Sequence, residues 1–85
     1  MVRALERLRT RLGWLERAEA DVRDDSAGEP AVFVRLVVRS GVQDLFEDGA
    51  RLVEARGLVH SVLREAGVDL WPFVEFVSAD ELEAA

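Results

Sequence analysis

The sequence predicts a small domain of the α+β or α/β class, with the order helix, strand, long helix, strand (α-βαβ). Three observations predict it: leucines at three- and four-residue spacing near the N-terminus, two short runs rich in valine and phenylalanine, and a long helical pattern between them. Eighty-five residues make a single small domain, 1–85. Because two strands alone seldom form a stable sheet, we expect dimerisation to complete it, through the first strand or the far side of the second.

The first element is an amphipathic helix predicted over residues 1–20. An apolar stripe consists of Leu5, Leu8, Leu12 and Leu15 within it and Val22 just beyond it, and Glu19 interrupts the stripe. This spacing places the side chains on one helix face, with arginines and glutamates off the stripe. Gly13 lies within the stripe and costs about 1 kcal/mol relative to alanine, so the helix is locally weak or closely packed there. Asp, Ser, Gly and Pro then cluster over 21–30 without periodicity, which predicts an acidic linker.

Residues 31–77 are predicted to form a βαβ unit with two parallel strands. One strand spans 31–39, the other ends the unit, and a helix of about 25 residues between them returns the chain to the starting end. Alternate side chains of each strand make one wholly apolar face and one mixed face. If the strands are neighbours, Arg35 and Glu75 pair across the ladder. An acidic tail, helical or frayed, closes the chain over 78–85.

The long helix of this unit has recognisable ends. Ser40 and Gln43 have the spacing of a capping box, which predicts a helix start at this point. The helical pattern runs to about Ala66, and Gly67 is suited to cap its C-terminus. A break at the Glu-Asp-Gly segment is the alternative, with the main helix then starting at Ala50.

The mixed faces of the two strands predict an interface. Its candidate residues are Phe33, Arg35, Val37, Trp71, Phe73, Glu75 and Val77. The apolar members would expose a patch on the order of hundreds of Å², a size typical of interaction sites. Pro72 cannot donate to a ladder, so it confines its strand to an edge. We therefore predict a non-catalytic interaction or adaptor module that binds itself or another protein through a sheet edge and this mixed face.

The formal net charge of −6 argues against a general nucleic-acid-binding protein, because phosphate contacts dominate such affinities. One alternative nevertheless follows from the arginines of the first predicted helix. Arg3, Arg7 and Arg11 recur at four-residue spacing on one helix face, and Trp14 is an aromatic side chain on which a base would stack. Nucleic-acid binding through this helix is thus one alternative function.

Few side chains suit catalysis, because the chain has one histidine and no cysteine, lysine, tyrosine or asparagine. His60 and Ser61 are adjacent, and adjacent helical residues do not face each other. A small ligand-binding or enzymatic domain with a pocket near His60 is the other alternative function. The acids of 21–30 lack the alternation of a calcium loop, and the glycine spacing fits no phosphate-binding motif. We therefore expect no metal and no cofactor.

The location is inferred from three absences in the sequence. The lack of cysteine excludes disulfides and thiolate metal sites. No apolar run approaches the roughly 20 residues of a membrane-spanning helix, and the first residues lack the apolar segment of a signal peptide. We therefore expect no membrane association and a cytoplasmic location.

Overall fold

The computed structural model describes residues 2–41 and 47–84. Its elements in chain order are α1 (Val2–Arg11), β1 (Leu15–Asp24), β2 (Pro30–Val38), α2 (Gly49–Glu65), β3 (Trp71–Ser78) and α3 (Ala79–Ala84). The strands form one mixed sheet in the order β1-β2-β3, in which β1 runs antiparallel to β2 and β3 runs parallel to β2. The predicted α+β class is confirmed, and β2, α2 and β3 have the predicted βαβ sequence. The predicted order of elements is wrong, because it lacks β1 between the first helix and β2.

The helix predicted over 1–20 is wrong in its second half, because α1 ends at Arg11 and β1 begins at Leu15. Gly13 and Trp14 form the turn between the two elements. Glycine disfavours a helix interior, and the side chains that follow alternate instead of recurring at helical spacing. The apolar row of β1 is Ala18, Ala20 and Val22, and the charged row is Arg17, Glu19, Asp21 and Arg23. This period of two is the pattern of a strand with one buried face.

A β-bulge near the start of β1 explains why Leu15 fits both patterns. The register with β2 shifts between Leu15 and Arg17, so one extra residue is inserted there. Without this bulge Leu15 would share a face with the charged row. With it, Leu15 joins Ala18 on the helix side of the sheet and is only 1% exposed. The chain therefore turns between Leu12 and Leu15 and continues as a bulged strand instead of a helix.

The acidic linker predicted over 21–30 is a tight hairpin turn with strand residues on both sides. The Asp25 carboxylate accepts from the N–H groups of Ala27 (2.9 Å) and Glu29 (3.0 Å), and the Asp25 N–H donates to the Glu29 carbonyl (2.8 Å). Gly28 has φ +81° and supplies the left-handed conformation that a three-residue hairpin loop requires. The first acids of the predicted linker belong to β1. The turn fixes the register of β1 on β2.

The long helix begins later than the capping box indicates. Ser40 lies in a turn, and Gln43 lies outside the described residues. Asp48 is the N-cap of α2, and its carboxylate accepts the N–H of Arg51 (3.3 Å). The start of α2 at Gly49 agrees with the alternative in which the main helix starts after a break.

The C-terminus of α2 confirms the predicted glycine cap. Gly67 has φ +81°, and its N–H donates to the Arg64 carbonyl (3.0 Å). The Val68 N–H donates to the Leu63 carbonyl (2.9 Å). This pair of bonds is the Schellman motif, which satisfies carbonyls that the helix end leaves unpaired and turns the chain toward β3.

The hydrophobic core lies between α1 and α2 and one face of the sheet, here called the inner face. Its buried members are Ala4, Leu5, Leu8, Leu12, Leu15, Val32, Val34, Leu36, Ala55, Val59, Val62 and Leu63. The apolar row of β2 is at the centre, because β2 is flanked by a strand on each side. Fully burying a valine or leucine contributes about 1.5–3 kcal/mol, so this face provides much of the stability. In the described part of the chain no buried side-chain nitrogen or oxygen lacks a hydrogen-bond partner.

The first residue of the acidic tail predicted over 78–85 is the last residue of β3, and the tail continues as the short helix α3. The Ser78 Oγ accepts the N–H of Asp80 (3.1 Å) at the start of α3. The Ser40 hydroxyl donates to the Asp80 carboxylate (2.7 Å), which connects α3 to the residues after β2. Neither α3 nor any other helix within residues 2–41 and 47–84 is long and apolar enough to cross a membrane.

Candidate interaction face of the sheet

The outer face is the side of the sheet opposite α1 and α2. By alternation each strand has four positions on it, between those that point into the core, although the Trp71 ring also reaches His60 of α2. They are Arg17, Glu19, Asp21 and Arg23 of β1, Ala31, Phe33, Arg35 and Val37 of β2, and Trp71, Phe73, Glu75 and Val77 of β3. The two registers align these residues in four rows across the strands. The seven interface residues predicted from the sequence all occupy positions of this face.

An aromatic pair lies at the centre of the outer face. Phe33 and Phe73 are register partners on β2 and β3, and their rings stack with centroids 5.1 Å apart and an interplanar angle of 17°. The Arg23 guanidinium lies 4.1 Å from the Phe33 ring centroid, close enough for a cation–π contact. Phe33 is half-buried, whereas Phe73 is 41% exposed. The pair borders an open depression of about 250 Å³.

Beside the aromatic pair, Arg35 lies between two acids in one row of the sheet. Its Nε is 3.7 Å from Glu75 Oε1, and its Nη1 is 4.0 Å from Glu19 Oε2. The contact between Arg35 and Glu75 was predicted from the sequence, and the parallel register makes these two residues direct partners. Glu19 also accepts a hydrogen bond from Arg17 Nε at 2.8 Å. Exposed pairs of this kind contribute at most about 1 kcal/mol each, so they orient side chains more than they stabilise the fold.

The outer face is electrically balanced although the chain is acidic. It has three arginines and three acids, so its net charge is zero against −6 for the whole chain. The excess acid lies elsewhere, at the hairpin turn and in α3. The outer face as a whole therefore attracts neither sign of charge.

The predicted interface residues differ in how far they are available to a partner. Val37 is completely buried and Val77 is half-buried, so these two contribute mainly to the fold. Trp71 is 64% exposed, and its ring packs edge-on against His60 of α2, with centroids 5.2 Å apart. Phe73 is the large apolar side chain most available at the centre of the face.

One edge predicted to be free is occupied. The sequence offers two alternative edges to another subunit, that of the first valine-rich strand, here β2, or the far side of the second, here β3. The first alternative is wrong, because β1 of the same chain pairs along β2 from Leu15 to Asp24. The second stays a prediction. The sheet edges are therefore β1 and β3, and Pro72 lies on β3, which confirms the predicted edge position of this proline.

His60 lies half-buried on α2 beside the start of β3. Its ring contacts Trp71, and the two residues line an open depression of about 210 Å³ together with Arg64 and Asp69. No hydrogen bond or ion pair joins His60 to an acid among the residues described. The described side chains also contain no group of three His, Asp or Glu that could hold a metal ion.

The arginine row of α1 is exposed, but the aromatic side chain predicted to accompany it is not beside it. Arg3, Arg7 and Arg11 are exposed on α1, and Arg7 forms an ion pair with Glu65 of α2 at 3.3 Å. Trp14 is half-buried, and its ring centroid lies 6.4 Å from that of Phe76 at the border of the core. The residues of the nucleic-acid alternative thus do not form one combined surface of arginines and an aromatic ring.

Comparison with models of protein families, with curated proteins and with solved structures finds no match to this chain.

The outer-face residues missed from the sequence are those of β1, above all Glu19, Asp21 and Arg23. Their signal was the strict alternation of charged and small apolar residues, which the leucine spacing upstream concealed. With β1 included, the outer face has an aromatic centre and a charged flank.

Proposed function

We propose that this chain is a non-catalytic protein–protein interaction module that associates with a second copy of itself through the outer face. The observation on which the proposal depends is the stacked Phe33–Phe73 pair, whose Phe73 ring is exposed at the centre of a face with zero net charge. An aromatic centre with a polar surround is the usual anatomy of an interface. We expect the module to act in the cytoplasm.

The energetic argument rests on apolar area and on the small size of the chain. A domain of this length buries only roughly 60% of the surface that its unfolded chain exposes, so further burial has a large relative effect. Two sheets pack face to face about 10 Å apart, which would bring Phe73 of each copy against the aromatic pair of the other. Removing a phenylalanine side chain from water contributes about 1.5–3 kcal/mol when burial is complete.

The charges favour one relative orientation of the two copies. A two-fold interface is self-complementary, so each arginine of one copy is available to an acid of the other. Arg35 lies next to the aromatic pair and has Glu19 on one side and Glu75 on the other. In a two-fold dimer, Arg35 of one copy would exchange these acids for the same acids of the other copy. The repulsion between two chains of charge −6 acts mainly at the acidic ends, and at physiological salt it is screened within about 8 Å.

The test is the solution mass, measured by light scattering after size exclusion over a wide range of concentrations. We expect a mass that approaches twice 9.5 kDa as concentration rises. The variant Phe73→Ser should remain a monomer at every concentration. Val53→Ser is the matched control, because Val53 is a 69% exposed apolar residue on α2, away from the outer face.

Two outcomes would contradict the proposal. One is a wild-type chain that stays monomeric at the highest concentration reached. The other is a dimer that survives Phe73→Ser but is weakened by Val53→Ser, which would move the contact to the helix side. Circular dichroism of both variants checks that they fold.

A further inference from the structure

We propose that the free edge of β1 binds an extended segment of a partner protein by strand addition. The segment it suits has aliphatic side chains at alternate positions and a basic side chain between them. This surface adjoins the outer face and shares charged residues of β1 with it, but it uses the outward backbone groups of β1 and the groove between β1 and α1.

The direction of the backbone groups on β1 follows from the hairpin turn. The Asp25 N–H donates to the Glu29 carbonyl, so this is a hydrogen-bonded pair of the antiparallel ladder. Such pairs alternate along two antiparallel strands. The charged row of β1 therefore bonds to β2, and the apolar row directs its N–H and C=O groups to the free edge. Ala18, Ala20 and Val22 are that apolar row.

The edge of β3 is less suited to the same role. Because β2 bonds to β1 through Phe33 and Arg35, it bonds to β3 through Val32 and Val34. Val32 is the register partner of Pro72, and a parallel ladder links it to the residues on either side of that partner. The N–H that Pro72 lacks would thus have pointed to the free edge of β3. A missing donor protects an edge from an added strand, and β1 has no proline.

A groove beside β1 offers space for aliphatic side chains of the added segment. It has a volume of about 440 Å³ and lies between α1 and β1. Leu5, Ala18 and Ala20 form its apolar floor, and Glu6 and Arg9 line the side of α1. An added strand would direct every second side chain to this side of the sheet. Because the alanines are small, larger aliphatic side chains of the partner can fill the groove.

The charges of β1 favour a basic partner over a second β1. The strand has four acids and two arginines, a net charge of −2, so two copies side by side would repel. Arg17 is bonded to Glu19 at 2.8 Å, and Arg23 lies over the Phe33 ring at 4.1 Å. No cation lies within 4 Å of the Asp21 carboxylate among the residues described, so Asp21 is available to a basic side chain on the added strand.

The probe is a fluorescein-labelled peptide of the sequence Lys-Val-Thr-Val-Lys-Val-Thr, and the readout is fluorescence anisotropy with the full chain. We expect saturable binding that is lost when alternate backbone nitrogens of the peptide are methylated. Replacing both lysines by glutamate should weaken binding at least fivefold. The variant Ala20→Pro, which removes an edge N–H without touching the ladder to β2, should weaken binding at least tenfold. Ala20→Ser keeps that N–H and should bind within twofold of wild type.

Phe73→Ser should also bind the peptide within twofold of wild type, which separates this site from the outer face. Circular dichroism and thermal unfolding check that Ala20→Pro folds, and the methylated peptide decides the matter with the native chain if it does not. Absence of binding, or binding unaffected by backbone methylation, would overturn the proposal. So would a solution mass that Ala20→Pro lowers while the peptide does not bind, since a second copy would then occupy the edge.

Discussion

The two faces of one sheet differ in what covers them, and the middle of β2 shows the difference, whereas Ala31 and Val37 at the ends of its outer row are buried. Val34 and Leu36 point to the inner face and are buried under α1 and α2. Phe33 and Arg35 alternate with them and remain half-buried or exposed on the outer face. One row of side chains of this strand thus belongs to the core, whereas the centre of the other row stays accessible. The two rows should therefore respond differently to mutation.

The largest expected effect is on the inner face. Leu36→Ala should lower the free energy of unfolding by about 2–5 kcal/mol, because it removes a fully buried side chain and leaves a cavity. Its neighbour Arg35→Ala should lower it by less than about 1 kcal/mol, because the lost ion pairs are exposed. Urea unfolding followed by circular dichroism measures both values.

These measurements should be made in the Phe73→Ser background, so that self-association does not add to the apparent stability. Equal losses at Leu36 and Arg35 would refute the division of roles between the two faces. A loss below about 1 kcal/mol at Leu36 would mean that the core repacks around the smaller side chain.

A smaller effect is expected at the turn that decides which row of β1 faces which side. A one-residue slip of a strand moves every side chain to the opposite face, and Asp25 helps to fix the register through its two hydrogen bonds. Asp25→Ala should lower the free energy of unfolding by about 1–2 kcal/mol through loss of these bonds. Asp25→Asn keeps an acceptor at the same place and should lose less than half of that.

The position of Asp25 makes it informative about pairing as well as stability. Hydrogen exchange of the β1 amides that bond to β2 should speed up in Asp25→Ala and stay close to wild type in Asp25→Asn. Unchanged exchange in both variants would show that the turn does not hold the register.

The features that could be predicted from sequence are those set by local pattern. The β-branched run of β2 has no competing helical pattern, and Gly67 marks the helix end because glycine adopts positive φ without strain. The pairing of Arg35 with Glu75 followed from parallel strands of known alternation. Residues 42–46, where part of the long helix was predicted, lie outside the described residues.

The first strand could not be predicted in the same way, because two patterns overlap at Leu15. The leucine spacing of α1 continues to Leu15, although Leu15 belongs to β1. The turn at Gly13 and the β-bulge point the Leu15 side chain into the core, as a continuous helix would also have done. Ala18 and Ala20 have weak strand preference and strong helix preference, so local propensity favoured the wrong element. Pairing with β2 is a long-range contact, and it overrides that preference. The charged half of the outer face was missed for this reason.

The last expected effect concerns association rather than folding, and it tests whether the charges of the outer face set the orientation of the two copies. Arg35→Glu would place three acids in one row and should weaken self-association about tenfold, equivalent to about 1.4 kcal/mol. Arg7→Glu is the matched control, because it changes the net charge equally and breaks one exposed ion pair on α1. It should weaken association by less than twofold.

The double variant Arg35→Glu with Glu75→Arg restores the net charge of wild type and a pair of opposite charges between β2 and β3. We expect it to recover only part of the lost affinity. Recovery is incomplete because Glu19 then faces an acid at position 35 within the same chain. Sedimentation equilibrium of the four proteins measures the association constants. Equal weakening by Arg35→Glu and Arg7→Glu would mean that net charge alone governs association, and the outer-face charges would then have no orienting role.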